Sequence, residues 1–419
     1  MSFTGRVTSM KRVGVIAVVT AVVVTLFAPA ARSAPSVRGF DGKTIKIAGM
    51  GLGSNFAAAD IGTKARFKRA NDTNELKGIK LEYTEFADDK GDPATATSEA
   101  RRLVTQEGIF AIVPNFSATN PGPYLNQQHV PYVGFAFDNT YCSQKPTTAL
   151  YGFGYNGCLV PADPKVMPDS YAQLYKYVSE KTGKKHPSMV LFSNDNQSGK
   201  NSSRFGASAA QGAGFKVVYA KGAVPMVTSD YSPYVQTWMT ADGGNQPDEI
   251  HCLLAVQCLE IWNALKAAGF KGTFWTSLAL DLFTKPLAGT VATGFYNTAP
   301  NPGLTQMQKD LDAVSQGKPP GTFFFAAYFA ADMFIQGVKN AMKKVGAKNL
   351  TPEAVQQALA KQSWEIKGLI GPTKYPASTV VPTPSCNELL TSSGGTTWDI
   401  AVPYACSYER IPIDPKFKG

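Results

Sequence analysis

Histidine is nearly missing from this 419-residue chain: His129, His186 and His251 are the only three, and they fall in separate regions. Neither H-E-x-x-H nor G-x-S-x-G occurs, so the direct signatures of zinc peptidases and serine hydrolases are absent. His129 stands just before an apolar run, His186 lies in the polar "KKHP", and His251 sits inside another apolar run. Each reads as structural, so no catalytic constellation is built on them, and no cofactor is expected. Cysteine does not appear before Cys142 and never as C-x-x-C, which removes the spaced-thiolate zinc sites. With no cysteine behind the N-terminal apolar stretch, a lipoprotein anchor is not expected either. That uncharged stretch, 13–27, is too short for a comfortable membrane span. Long basic runs are lacking too. The 41 Lys+Arg are scattered, with short pairs such as Arg101–Arg102 and Lys184–Lys185. No basic run is interleaved with aromatics, so a nucleic-acid groove is excluded.

What is present begins with Arg6, Lys11 and Arg12, then the apolar stretch, then the small residues of "APAARSA". This order predicts a secretory signal peptide, residues 1–33, cleaved after Ala30 or after Ser33. It carries four basic residues and no acid, which leaves 37 basic against 31 acidic residues in the mature part. All six cysteines lie in that part, and an even number in an exported protein points to disulfides. Six cysteines allow 15 connectivities; pairing of sequence neighbours is the simplest, Cys142 with Cys158, Cys252 with Cys258, and Cys386 with Cys406. The mature length of about 385 residues suits two domains.

Strand-like and helix-like runs alternate along most of the mature chain. Strands are expected at 44–50, 79–86, 109–113, 130–137, 188–192, 216–220, 249–255 and 272–277, with helical patterns between them. The acids Asp88, Asp89 and Asp92 look like a carboxylate cluster, but Asp92 followed by Pro93 is better read as a helix cap with proline at the first turn. No metal site is assigned there. The segment 323–345 is a strongly apolar helix, and 351–362 is a helix capped by Thr351. From 365 onward Pro, Ser, Thr and Gly dominate, as in hairpins and loops. Two successive βαβ sets define an α/β protein of two doubly wound, Rossmann-like lobes.

In such lobes ligands bind beyond the carboxyl ends of the strands, at the point where strand order reverses. Five loops occupy that position: "PNFSATN" (114–120), "GFAFDN" (134–139), "SNDNQSG" (193–199), "LLAVQC" (253–258) and "WTSLAL" (275–280). The first is more than a turn needs. Pro114 and Asn115 are expected to break the strand and leave Phe116, Ser117 and Ala118 at a binding rim, although a strand-to-helix turn capped by Ser117 or Thr119 reads almost as well.

The ordered motifs "DDKGDP", "LVTQEGIFAIV", "NDNQSG", "SDYSPYV", "PDEI", "KAAGF", "AAYFAAD" and "KGLIGP" span most of the mature chain. Together they resemble the type I periplasmic binding proteins of ABC importers, in the branch that binds branched-chain amino acids and amides. The resemblance implies two lobes joined by hinge crossovers, with 41–160 and 299–375 in the first, and 161–298 and 376–419, including a C-terminal hairpin, in the second. It implies an exported monomer with no chemistry of its own, in which a solute is held between closing lobes and handed to a membrane permease. The implied ligand-binding residues are Phe56, Asn115, Phe116, Ser117 and Ala118; Phe137, Asp138 and Asn139; and Gln197, Ala255, Val256, Trp275, Ser277 and Leu278. In amino-acid receptors the loop matching 115–118 holds the ligand carboxylate, and Ser117 keeps that role. The acid that holds the ammonium would fall near Ser277–Leu278, where this chain has no carboxylate, leaving Asp138 as the substitute. The aromatic set Phe56, Phe116, Phe137 and Trp275 predicts a ligand with an apolar or ring portion and a polar or carboxylate end. A plain amino-acid receptor, a sensing module on the same fold, and an exported enzyme are the alternatives.

Overall fold

The computed structural model describes residues 1–2, 37–136, 139–142, 150–157, 166–168, 170–254, 257–276, 279, 283–317, 323–376, 386–406 and 410–412. The apolar run "TIKIAGMG" is strand β1 (Thr44–Gly51), buried along nearly all its length. A single turn, α1 (Gly53–Phe56), leads into α2 (Asp60–Asp72), and β2 (Lys80–Asp88) follows. Helix α3 (Pro93–Thr105) starts as the acids indicated: the Asp92 carboxylate accepts from the Thr95 N–H at 2.7 Å, with proline in the first turn. Strand β3 (Ala111–Phe116), α4 (Gly122–Gln127), β4 (Tyr132–Gly134) and β5 (Gly152–Gly154) complete a five-stranded parallel sheet in the order β2-β1-β3-β4-β5. One expectation fails here. Pro114 does not break β3, which runs through it to Phe116. The register slips on both sides, between Ala48 and Met50 on β1 and between Ile112 and Asn115 against β4, so an irregularity absorbs the missing N–H.

The second set begins with β6 (Val166–Pro168) and α5 (Ser170–Thr182), then β7 (Ser188–Asn194), α6 (Gln197–Ala213), β8 (Lys216–Val224), α7 (Ser232–Met239), β9 (Glu249–Cys252), α8 (Gln257–Ala267), β10 (Thr273–Thr276) and β11 (Val291–Gly294). The chain then returns to the first lobe. Helices α9 (Pro302–Ser315), α10 (Phe324–Val345) and α11 (Pro352–Leu359) follow; α9 and α10 pack on α2, α10 also on β3 and β4, and α11 on α10. Strands β12 (Ser363–Ile366) and β13 (Ile370–Lys374) form a hairpin. Finally β14 (Asn387–Thr391) and β15 (Asp399–Ala405) extend the second sheet, giving β15-β14-β11-β10-β9-β7-β8, while β16 (Arg410–Pro412) pairs with β6. From β8 to β11 the second sheet is parallel; β14 and β15 are antiparallel additions. Both lobes are therefore doubly wound α/β units. No helix among the described residues is long and apolar enough to cross a membrane.

A buried charge network fixes the returning helices. Arg66 on α2 is 3% exposed, makes a two-pronged contact to Glu75 at 2.9 Å per arm, and reaches Asp332 on α10 at 2.6 Å. Burial alone would raise the Glu75 carboxyl, but hydrogen bonds and charge from Arg66 and Lys339 override it and hold the pKa at about 2.

The bridges Cys252–Cys258 and Cys386–Cys406 are both formed. Cys142 is disulfide-bonded as well, while its expected partner, Cys158, lies outside the described residues.

Candidate functional site

In the strand order 2-1-3-4-5 the reversal falls between β1 and β3, so the crevice opens at Gly51 and Phe116, which are register partners. The two backbones approach so closely that a Cβ at Gly51 would lie 2.9 Å from the Phe116 Cβ. The glycine-rich "GMGLGS" is the local signal for this approach. Beyond β1 the Gly53 N–H donates to Asp88 at 2.7 Å, which fixes the exit of the chain into α1.

Polar groups gather just past β3. Ser117 is fully buried, and its hydroxyl lies 2.9 Å from that of Thr119. Thr119 Oγ1 donates to Asp89 at 3.2 Å, and the Gly91 N–H donates to the same carboxylate at 2.9 Å. Burial raises the Asp89 pKa, opposed by hydrogen bonds from Ser117, Gly91 and Thr119. Asn115 braces this loop: its Nδ2 donates to Tyr141 at 2.8 Å, and its Oδ1 accepts from the Ser117 N–H at 3.3 Å. Ala118 is half-buried beside it.

Aromatic rings form the adjoining wall. Phe56 lies 5.4 Å from Phe116 and 5.4 Å edge-on to Phe323. Phe323 continues to Phe135, and Phe135 meets Phe295, on the segment that leaves the second lobe. Phe323 holds a φ of +64°, a strained setting for a bulky residue and one that tends to mark functional sites. The sequence pattern brought out Phe56 and Phe116 but missed Phe135, Phe295 and Phe323. The last follows residues with no strand-end signal, and only the return of α10 to the first sheet brings it here. Asp89 was visible in the sequence as a member of the acidic cluster set aside in favour of the Asp92 cap, and Thr119 as an alternative cap of a strand-to-helix turn.

In the second lobe Asn196 caps α6, accepting from the Gly199 N–H at 2.7 Å, and Gln257 opens α8. Trp275 is a correction. Its side chain turns into the lobe interior, where the indole N–H donates to Thr293 at 2.7 Å and the ring stacks on His251 at 3.7 Å. On a strand, alternate side chains face opposite sides, and this one falls on the side covered by Tyr171 of α5. Phe137, Asp138, Ala255, Val256, Ser277 and Leu278 lie outside the described residues, and of Asn139 and Gln197 only the backbone is described.

The histidines stay apart. His129 stacks on Tyr151, His186 contacts the Gly214 carbonyl at 3.0 Å, and His251 is buried, which lowers its pKa and keeps the ring neutral. Among the described residues no three His, Cys, Asp or Glu side chains group to hold a metal ion.

The polar corner and the aromatic wall meet at the strand reversal of the first of two doubly wound lobes, the position at which folds of this class hold small molecules. The chain belongs to the periplasmic binding protein family, which matches residues 49–382. No curated protein is significantly similar to it in sequence. Among solved structures it resembles a branched-chain amino acid ABC transporter protein from Thermus thermophilus with bound valine, at a TM-score of 0.67 and 15% identity, over 87% of this chain and 97% of that one. A fatty acid ABC transporter substrate-binding protein from Thermomonospora curvata gives a TM-score of 0.67 at 14% identity, over 90% and 97%. A solute binding protein from R. palustris in complex with benzoate gives 0.65 at 14%, over 87% and 98%.

Proposed function

We propose that the protein is an exported, monomeric solute receptor that closes its two lobes on a small molecule and delivers it to an ABC-type membrane permease. The observation that carries this reading is the junction of Asp89, Ser117 and Thr119 with the wall of Phe56, Phe116 and Phe323 at the strand reversal. One end of the crevice offers hydrogen bonds and the other offers ring faces. The solute it fits has an apolar or ring portion and a polar end. The three proteins named above bind, by their descriptions, valine, fatty acids and benzoate, which share that build. Export is supported by the leader pattern and by disulfide-bonded cysteines, which persist in oxidising compartments.

A thermal-shift screen of the mature protein with valine, isoleucine, benzoate, benzamide, decanoate and glucose tests the reading. One or more of the apolar-bodied solutes should raise the melting temperature, with no consumption of solute over hours. A shift from glucose alone, or steady turnover of an added ester or amide, would replace this reading with another.

A further inference from the structure

One contact between the lobes, away from the aromatic wall, is made by the side chain of Met226. Met226 lies two residues past the end of β8, on the rim of the second lobe, and is half-buried. Its neighbours there belong to the two second-lobe loops that the sequence places at strand ends, 193–199 and 253–258. Asn196 Nδ2 donates to the Met226 sulfur at 3.3 Å, and Gln257 Nε2 donates to the Met226 carbonyl at 3.1 Å. From the first lobe, Gly91 comes up against the same residue. A Cβ at position 91 would lie 3.4 Å from Met226 Cβ, 3.6 Å from its terminal methyl and 3.7 Å from Leu52. Gly91 has a φ of +68°, a conformation that a side chain would strain, and its N–H is bonded to Asp89. Asp89 in turn holds the hydroxyls of the 117–119 loop.

We propose that Met226 is the latch of the closed form, a positioning residue that couples the solute-contacting loops of the second lobe to those of the first. The proposal rests on the receptor reading above and deepens it. Its elements are continuous: 117–119 to Asp89, Asp89 to Gly91, Gly91 to Met226, and Met226 to Asn196 and Gln257. A thioether suits this place, because its unbranched, polarizable chain adapts to a surface that is repeatedly made and broken. Closing requires a contact that exists in one state and not in the other, and the latch assigns that part to Met226 and Gly91.

A disulfide trap tests the geometry without any solute. Cβ atoms about 3.5–4.5 Å apart close a disulfide readily, so the Gly91→Cys/Met226→Cys protein should form a new bridge in air, seen as a linked peptide by non-reduced mass spectrometry. Met226→Ala, which is expected to fold even if the double variant does not, should increase the radius of gyration by small-angle scattering, while Met226→Leu should not. For whichever of valine, benzoate or decanoate stabilises the wild type, Met226→Ala should weaken binding about 3- to 10-fold, mostly through faster dissociation. Free thiols in a folded double variant, or a Met226→Ala protein with unchanged radius, would overturn the latch. If the bridge forms and Met226→Ala expands the molecule, yet no solute binds the wild type, the lobe contact stands and the receptor reading is what fails.

Discussion

Asp89 is out of solvent's reach, and donors from Ser117, Gly91 and Thr119 converge on it. A hydroxyl that gives its proton to a carboxylate turns its lone pairs outward. A solute reaching Ser117 therefore meets an acceptor with a negative charge behind it, which favours an N–H or O–H end over a bare carboxylate. Benzamide should stabilise the protein more than benzoate in thermal-shift assays, and Asp89→Asn should narrow or reverse that order. Ser117→Ala should weaken the favoured solute by about 0.5–1.5 kcal/mol, the contribution of one neutral hydrogen bond; an unchanged affinity by calorimetry would remove Ser117 from the contact set. A second buried acid behaves differently. Glu249 on β9 is fully buried, both its oxygens lack a hydrogen-bond partner, and burial pushes its pKa well above the ordinary 4.5. Its stability contribution is complete below pH 4.5 and is lost as pH rises toward the folded pKa. Glu249→Met should remove that loss and gain about 1–3 kcal/mol at neutral pH, the usual penalty for an unsatisfied buried polar group. Chemical denaturation at pH 5 and pH 8 checks it: the gain must be larger at pH 8.

Residues 297 and 298 grip opposite lobes where the chain crosses from β11 to α9. Asn297 is held by the hairpin β12–β13, its N–H donating to the Leu369 carbonyl at 2.9 Å and its side chain to that of Gly368 at 3.0 Å. The Thr298 N–H donates to Glu388 on β14 at 3.2 Å. Glu388 is fully buried, and burial pushes its pKa up to about 7, against the hydrogen bonds from Thr298. A folded pKa raised from 4.5 to about 7 gives stability that is full below pH 4.5 and lost as pH rises through 7. Glu388→Gln keeps an acceptor for Thr298 and removes the titration. Its melting temperature relative to wild type should climb between pH 5 and pH 8, toward an upper limit of about 3 kcal/mol in stability; a constant difference would show that Glu388 does not titrate there. On the far side of the crossing, Arg66→Ala would leave Glu75 and Asp332 without their buried partner and should cost about 3–5 kcal/mol by denaturant titration. The elements themselves were largely legible. Alternation of apolar runs with capped helices located β1, β3, β7, α3 and α11, because burial and capping are local. The strands β5, β6 and β11 were not, since each has three or four residues and is fixed by its sheet neighbours rather than by its own pattern. The candidate site was legible to the same degree. Ser117 and Phe116 stand at a strand end that the sequence marks, whereas Phe323, Phe295 and Met226 arrive by chain returns that no local pattern encodes, and the face taken by Trp275 is decided by the pleat.

Closure belongs to the whole molecule, because the crevice is complete only when both rims contribute to it. The aromatic wall joins them through Phe135 and Phe295, and Met226 joins them at Gly91. A solute shifts the population toward the closed form only by as much as it prefers that form. Binding should therefore show in two quantities at once. At a hundredfold excess over its dissociation constant a solute stabilises the fold by about 2.7 kcal/mol, and for the mature form proposed above, of about 385 residues, that is a rise of about 3 °C in melting temperature. The radius of gyration, about 21 Å for a compact chain of this length, should fall in the same titration, with the same midpoint. A solute that raises the melting temperature while the radius stays constant would be binding one lobe without closing the other on it. In that case the contact between Met226 and Gly91 would be a resting feature of the fold, present with or without solute, and the signal read by a permease would have to come from somewhere other than the distance between the lobes.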